Sequence, residues 1–186
     1  CSAASRVLVE RSVFTRLRDR LALAARSLPV GAADEAGTRI NPVVDREAWA
    51  RLQGAARRAR REGEVVLDRF CEPIGAAALA NADASTASLN LGPLIVTLEP
   101  DRTRSSETAT NELFGPILVL IPFDDESQAF ALANETEFGL LVRSPALAEE
   151  LQYGFATAAD GTVPRAFPVY SRIEPVLTKY PYDVRR

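Results

Sequence analysis

The stretch Asn111-Glu-Leu-Phe-Gly-Pro-Ile-Leu-Val-Leu-Ile121 contains the clearest fold signal in the chain. Residues Ile117–Ile121 form an unbroken apolar run, which predicts a strand buried on both faces, as is typical of a parallel sheet. Gly115-Pro116 predicts a turn directly before this strand. We therefore expect Glu112 and Phe114 to lie at the strand's entrance.

Helices and strands alternate on both sides of this strand. Strands are predicted at residues 5–10, 64–70, 93–98 and 140–142. Helical spacing of apolar residues predicts one helix after Ser12 and another between an N-cap at Asp45 and a C-terminal Gly63. Shorter helices are expected after Asp124 or Asp125 and at residues 145–152, and residues 71–92 are expected to be a weakly structured connector. This alternation predicts an α/β fold with a mostly parallel sheet.

The composition is that of a globular protein, with 47% hydrophobic and 25% charged residues in 186. The net charge of −3 argues against a nucleic-acid or membrane-surface protein, which would carry a basic stripe. The absence of a long apolar run predicts no membrane-spanning helix and no signal peptide. With two cysteines and no disulfide framework, a reduced cytoplasmic protein is expected.

Two residue types are absent from the chain. One absence restricts the possible chemistry, and the other bears on how residue 1 arises. The sequence contains no His, the commonest general base and metal ligand. It also contains no Met, so we expect residue 1 to result from processing, trimming or fragmentation of a longer product. Asp124 and Asp125 are predicted to cap a helix rather than to bind metal, and no metal site is expected. The arginines at positions 57, 58, 60 and 61 predict a solvated helix face rather than a phosphate site.

Two motifs, in this order, resemble the aldehyde dehydrogenase superfamily. The first is Cys1-Ser-Ala-Ala-Ser-Arg-Val7, and the second is Glu112-Leu-Phe-Gly-Pro116, which is followed by Phe123-Asp-Asp125 and Phe138-Gly-Leu140. The resemblance implies a three-layer α/β catalytic domain, with a mostly parallel sheet and flanking helices, over residues 1–150. Within the superfamily, Cys1–Arg6 and Ser27-Leu-Pro-Val-Gly31 are most similar to the pyrroline-carboxylate (glutamate-semialdehyde) dehydrogenases of proline catabolism.

The resemblance also implies a role for each motif residue. Cys1 would attack the aldehyde as a thiolate and form a thiohemiacetal, and Ser2 would help to bind the substrate carboxylate. Glu112 would accept hydrogen bonds from the ribose of a nicotinamide cofactor, NAD or NADP, and Phe114 would pack beside the nicotinamide ring. A small aldehyde, such as glutamate semialdehyde, would be the substrate, and a homo-oligomer is expected.

Other features set the chain apart from a complete family member. No Gly-rich phosphate loop occurs, so a nucleotide-binding Rossmann domain is expected to be absent from this chain and supplied in cis or in trans. The chain alone is expected to bind no cofactor and to be inactive. Residues 151–186 diverge from the family pattern. The alternative hypothesis is a degenerate, non-catalytic module with a structural or oligomerisation role, and a less favoured one is an unrelated α/β binding protein.

Overall fold

The computed structural model describes residues 4–70, 89–136, 140–142 and 156–158. The elements are β1 (Arg6–Glu10), α1 (Arg11–Arg26), α2 (Arg46–Glu62), β2 (Glu64–Asp68), β3 (Leu94–Thr97), a 3-10 helix (Pro100–Ser105), α3 (Glu107–Thr110), β4 (Ile117–Phe123), α4 (Glu126–Ala133), β5 (Leu140–Val142) and β6 (Ala156–Ala158). The predicted helix at 145–152 lies outside the described residues, as do Cys1, Ser2 and Cys71.

The chain divides into two compact units, Cys1–Asp124 and Asp125–Arg186. In the first unit, four strands form a sheet in the order β1-β4-β3-β2. The pairs β1/β4 and β4/β3 are parallel, whereas β2 runs antiparallel to β3. In the second unit, β5 and β6 form a parallel pair. The mainly parallel sheet predicted from the sequence is therefore confirmed.

One helix covers each face of the four-stranded sheet. Leu67, Ile95 and Leu120 form one cluster with Ala25 of α1, and Phe14 and Leu21 pack against it. Because side chains alternate across a strand, Val96 faces the opposite side from Ile95. Val96 lies beside the end of α2, 3.1 Å from the position that a Cβ at Gly63 would take. The order helix, sheet, helix gives three layers, with β4 buried between them.

The two long helices begin differently. The Asp45 carboxylate accepts a hydrogen bond from the Ala48 N–H at 2.7 Å, which confirms Asp45 as the N-cap of α2. The predicted cap at Ser12 is wrong, because β1 continues directly into α1 and Glu10 occupies the cap position. Ser12 lies inside the first turn, where its hydroxyl donates to the Glu10 carboxylate at 2.6 Å.

Gly63 ends α2, but not with the left-handed conformation that favours glycine at helix ends. Its φ is −121°, which any residue can adopt. Glycine is required there because an added Cβ would lie 2.7 Å from the Thr97 carbonyl oxygen. The close approach of the chain to β3, rather than the turn itself, determines this residue.

Candidate active site

The parallel register brings the starts of β1 and β4 to the same edge of the sheet. Arg6 pairs with Val119, and the Val119 N–H donates to the Ser5 carbonyl at 3.0 Å. The chain that enters β1 and the chain that enters β4 therefore lie side by side. The parallel pairing of β1 and β4 thus brings residues that are far apart in the sequence together at this edge.

The segment before β4 carries the two described site residues predicted from the sequence. Glu112 is exposed, and within the described ranges its carboxylate has no hydrogen-bond or ion-pair partner. Leu113 is buried, whereas Phe114 is 67% exposed. An exposed carboxylate and an exposed ring thus flank one buried anchor, and both are accessible to a ligand.

Phe114 has a φ of +51°, the only positive value among the described residues other than glycine. The left-handed region costs a residue with a Cβ roughly 1–2 kcal/mol, and such strain is often found at functional sites. The surrounding contacts must therefore hold this conformation in place.

Helix α2 supplies two of those contacts. The Arg51 guanidinium donates through Nη1 to the Leu113 carbonyl at 2.5 Å. Gly115 lies so close to Leu52 that an added Cβ would be 2.3 Å from Leu52 Cδ2. Leu52 is fully buried and has little room to move away, so the glycine of the motif is needed for packing against α2.

The same helix holds the beginning of the segment through Glu62. Ser106 caps α3 by accepting from the Ala109 N–H, and its hydroxyl donates to Glu62 Oε2 at 2.6 Å. The Thr108 N–H donates to the same oxygen at 3.0 Å. The sequence does not reveal this role, because a carboxylate at the end of one helix gives no sign that it will bind the start of another.

The environment of Glu62 predicts an acid-sensitive contact. Partial burial acts to raise its pKa, but hydrogen bonds from Ser106 and Thr108 outweigh that effect, so the pKa is lowered from its ordinary value. A carboxyl with a lower pKa in the folded state stabilises the fold above its unfolded-state pKa and loses that contribution as pH falls through the folded-state pKa. We expect stability to decline below about pH 5, and less steeply in Glu62→Gln.

Urea unfolding between about pH 6 and pH 3, followed by the fluorescence of Trp49, measures this dependence. Glu64→Gln is a suitable control, because Glu64 is an exposed carboxylate two residues away. If the unfolding free energies of Glu62→Gln and of the unaltered protein fell equally steeply with decreasing pH, the assigned role of Glu62 would be wrong.

Four of the other charged groups flagged in the sequence have structural partners. Asp125 caps α4 by accepting from the Gln128 N–H at 2.8 Å, and Asp124 forms an ion pair with Arg11. On α2, Arg60 forms two hydrogen bonds with Asp68 and Arg58 forms an ion pair with Glu107. Among the described residues, no cluster of three or more potential ligands could hold a metal ion.

None of the helices in the described part of the chain is long and apolar enough to cross a membrane.

Two curated relatives of this chain are named as semialdehyde dehydrogenases. The glutarate-semialdehyde dehydrogenase of Pseudomonas putida is 28% identical over 178 residues, covering 88% of this chain and 32% of the relative. The succinate semialdehyde dehydrogenase of Acinetobacter baylyi is 29% identical over 172 residues, with the same coverage of 88% and 32%. The chain thus spans about a third of the length of these relatives.

Solved structures share the fold. The crystal structure of HpcC from Thermus thermophilus superposes with a TM-score of 0.71 at 26% identity, covering 87% of this chain and 33% of that one. In addition, the model of the aldehyde dehydrogenase family matches residues 1–143. The match includes the start of β1, the whole supporting helix α2 and the Glu112–Pro116 segment. On this evidence the chain belongs to the aldehyde dehydrogenase family.

Proposed function

We propose that this chain is the cysteine-bearing catalytic lobe of an NAD(P)-dependent aldehyde dehydrogenase that oxidises a semialdehyde to the corresponding acid. The supporting observation is the parallel register of β1 and β4. It sets Ser5, four residues after Cys1, beside the strand that Glu112 and Phe114 precede. A nucleophile before β1 and a cofactor contact before β4 would therefore belong to one site.

The proposed substrate carries an aldehyde at one end and a carboxylate at the other. Two relatives are named for glutarate and succinate semialdehydes, and the string Cys1–Arg6 resembles the glutamate-semialdehyde type. These three compounds share that arrangement of groups. We assign the Ser2 hydroxyl to hydrogen bonding with the distal carboxylate, and glutamate semialdehyde is the specific substrate proposed.

In the proposed reaction, the Cys1 thiolate attacks the aldehyde carbon and the carbonyl oxygen becomes the oxyanion of a thiohemiacetal. The Cys1 backbone N–H stabilises that oxyanion as one donor of an oxyanion hole. Glu112 and Phe114 would help to hold a nicotinamide cofactor, which would supply the acceptor for the hydride that leaves the thiohemiacetal carbon. Water then cleaves the resulting thioester, which releases the acid and restores the thiol.

The described residues before β4 fit a nicotinamide riboside. The Glu112 carboxylate is exposed and has acceptor oxygens available for two neighbouring ribose hydroxyls. Phe114 exposes two-thirds of its surface to solvent, and its φ is positive, which costs free energy in a residue with a Cβ. A requirement for the ring at a fixed place beside the nicotinamide would account for this strain. A nucleotide-binding domain, in cis or in trans, would hold the rest of the cofactor.

Glu112→Gln tests the proposed cofactor contact. Loss of a charged acceptor weakens hydrogen bonds to the ribose, so we expect KM for the nicotinamide cofactor to rise about tenfold. The measurement is steady-state oxidation of glutamate semialdehyde and succinate semialdehyde by the full-length protein, with NAD and with NADP.

The matched control is Glu35→Gln, which removes an exposed carboxylate from a loop before α2 and is expected to leave KM unchanged. If the full-length protein binds neither NAD nor NADP in calorimetry, the catalytic proposal fails and the non-catalytic module becomes the correct interpretation.

A further inference from the structure

We infer that Arg51 is a positioning residue that fixes the backbone between Glu112 and Phe114 and thereby aims both side chains. This inference rests on the proposed function, since it assigns Arg51 to the same site. Arg51 acts through the Leu113 carbonyl and does not need to contact the cofactor. Nothing in the sequence motif itself points to this residue, which lies more than sixty positions earlier on α2.

Arg51 acts on the peptide unit that joins Leu113 to Phe114. Its carbonyl oxygen belongs to Leu113 and accepts from Arg51 Nη1, and its N–H belongs to Phe114. Rotation of this unit changes the ψ of Leu113 and the φ of Phe114 together. A flip would move Phe114 from its φ of +51° toward the negative φ values that phenylalanine prefers. By holding the carbonyl, Arg51 opposes that relaxation.

Helix α2 fixes the chain on both sides of Phe114. Arg51 binds the carbonyl immediately before it, and Leu52 packs against Gly115 immediately after it. These two contacts come from consecutive residues of a helix whose Leu52 side chain is fully buried. The segment cannot turn as a rigid unit while both contacts persist, so the exposed ring keeps one direction.

The guanidinium group of Arg51 is well suited to hold this carbonyl. A guanidinium carries a full charge and several N–H groups on one plane, so its hydrogen bond to a carbonyl is stronger than one from a neutral donor. Lysine at this position could still donate, but as a point charge on a more flexible stem. Arg51→Lys should therefore keep part of the function, whereas Arg51→Met should lose it while retaining a long apolar stem.

Limited proteolysis with chymotrypsin, in the absence of cofactor, measures the effect on the backbone directly. Phe114 is an exposed aromatic residue, and a protease must pull the chain out of its folded path to cut after it. In Arg51→Met we expect the initial rate of cleavage after Phe114, identified by mass spectrometry, to rise about tenfold. Arg51→Lys should show a smaller increase. Arg57→Met, at an exposed arginine on the same helix, should cleave at the original rate.

Kinetics of the full-length protein provide the second readout. KM for the nicotinamide cofactor should rise about tenfold in Arg51→Met, with a partial return in Arg51→Lys, because misaligned groups bind and react less well. Urea unfolding followed by Trp49 fluorescence checks that each variant is folded. If Arg51→Met does not fold, the same two readouts on Arg51→Lys test the inference.

The two readouts separate the possible failures. An unchanged cleavage rate after Phe114 overturns the inference, even if KM rises, because Arg51 would then act directly on the cofactor. Faster cleavage together with a higher KM supports it. If the unaltered full-length protein oxidises no aldehyde, the proposed function is wrong. Faster cleavage after Phe114 in Arg51→Met would in that case still support the assignment of Arg51 to this backbone.

Discussion

Replacement of Cys1 by alanine in the full-length protein is expected to abolish NAD(P)-dependent aldehyde oxidation. In the proposed reaction Cys1 forms the only covalent bond to the substrate, and the described residues include no cysteine that could replace it. Removal of a nucleophile from an enzyme of this kind costs at least about a thousandfold in kcat. Cofactor binding, which we assign to Glu112 and Phe114, should survive the change.

The chain provides a matched control in its second cysteine. Cys71→Ala should retain full activity, because Cys1 and not Cys71 stands in the motif that resembles the catalytic segment of the family. Labelling with a thiol reagent should react faster with Cys1 than with Cys71, since a nucleophilic cysteine has a larger thiolate fraction. Undiminished aldehyde oxidation by Cys1→Ala would show that the proposed mechanism is wrong.

Leu52→Ala is expected to cost about 2–5 kcal/mol of unfolding free energy, the largest stability effect among the variants considered. Leu52 has no exposed surface, and alanines at positions 55, 56 and 59 bring α2 close against its neighbours. The substitution removes buried methyl groups and leaves a cavity beside Gly115, which packs directly against the Leu52 side chain. The Glu112–Phe114 segment should loosen at the same time.

Leu23→Ala is the control for this change, because the same side chain is 71% exposed on α1. It should alter stability by no more than about 0.5 kcal/mol. Urea unfolding, monitored through Trp49, gives both values. Equal stabilities of Leu52→Ala and Leu23→Ala would contradict the assignment of Leu52 to the core.

The strands and the long helices followed from local patterns. The apolar run at residues 117–121 predicted β4 because few other structures bury five consecutive aliphatic residues, and the carboxylate of Asp45 predicted the start of α2. The Ser12 cap failed because the local signal could not show that β1 continues without a loop into α1. The antiparallel direction of β2 could not be predicted from the sequence either, since the direction of strand pairing depends on partners distant in the sequence.

The residues of the candidate site also fall into two groups, those recognisable from a local motif and those that only the tertiary structure reveals. Glu112 and Phe114 were recognisable from the motif in which they stand, and Cys1 and Ser2 remain predictions from theirs. Arg51, Leu52 and Glu62 were not found, because each acts on residues more than forty positions away through a carbonyl, a glycine or a hydroxyl. Such contacts leave no local periodicity.

By itself, the amino-acid sequence determined the two long helices and the four strands of the main sheet, and it identified the family through two short strings of residues. Those properties depend on neighbours within a few positions, where side-chain spacing and capping groups act. Only the tertiary structure decided that β1 and β4 run side by side and that α2 holds the Glu112–Phe114 backbone in a strained conformation. Both depend on parallel pairing and helix packing, which join residues that the sequence keeps far apart.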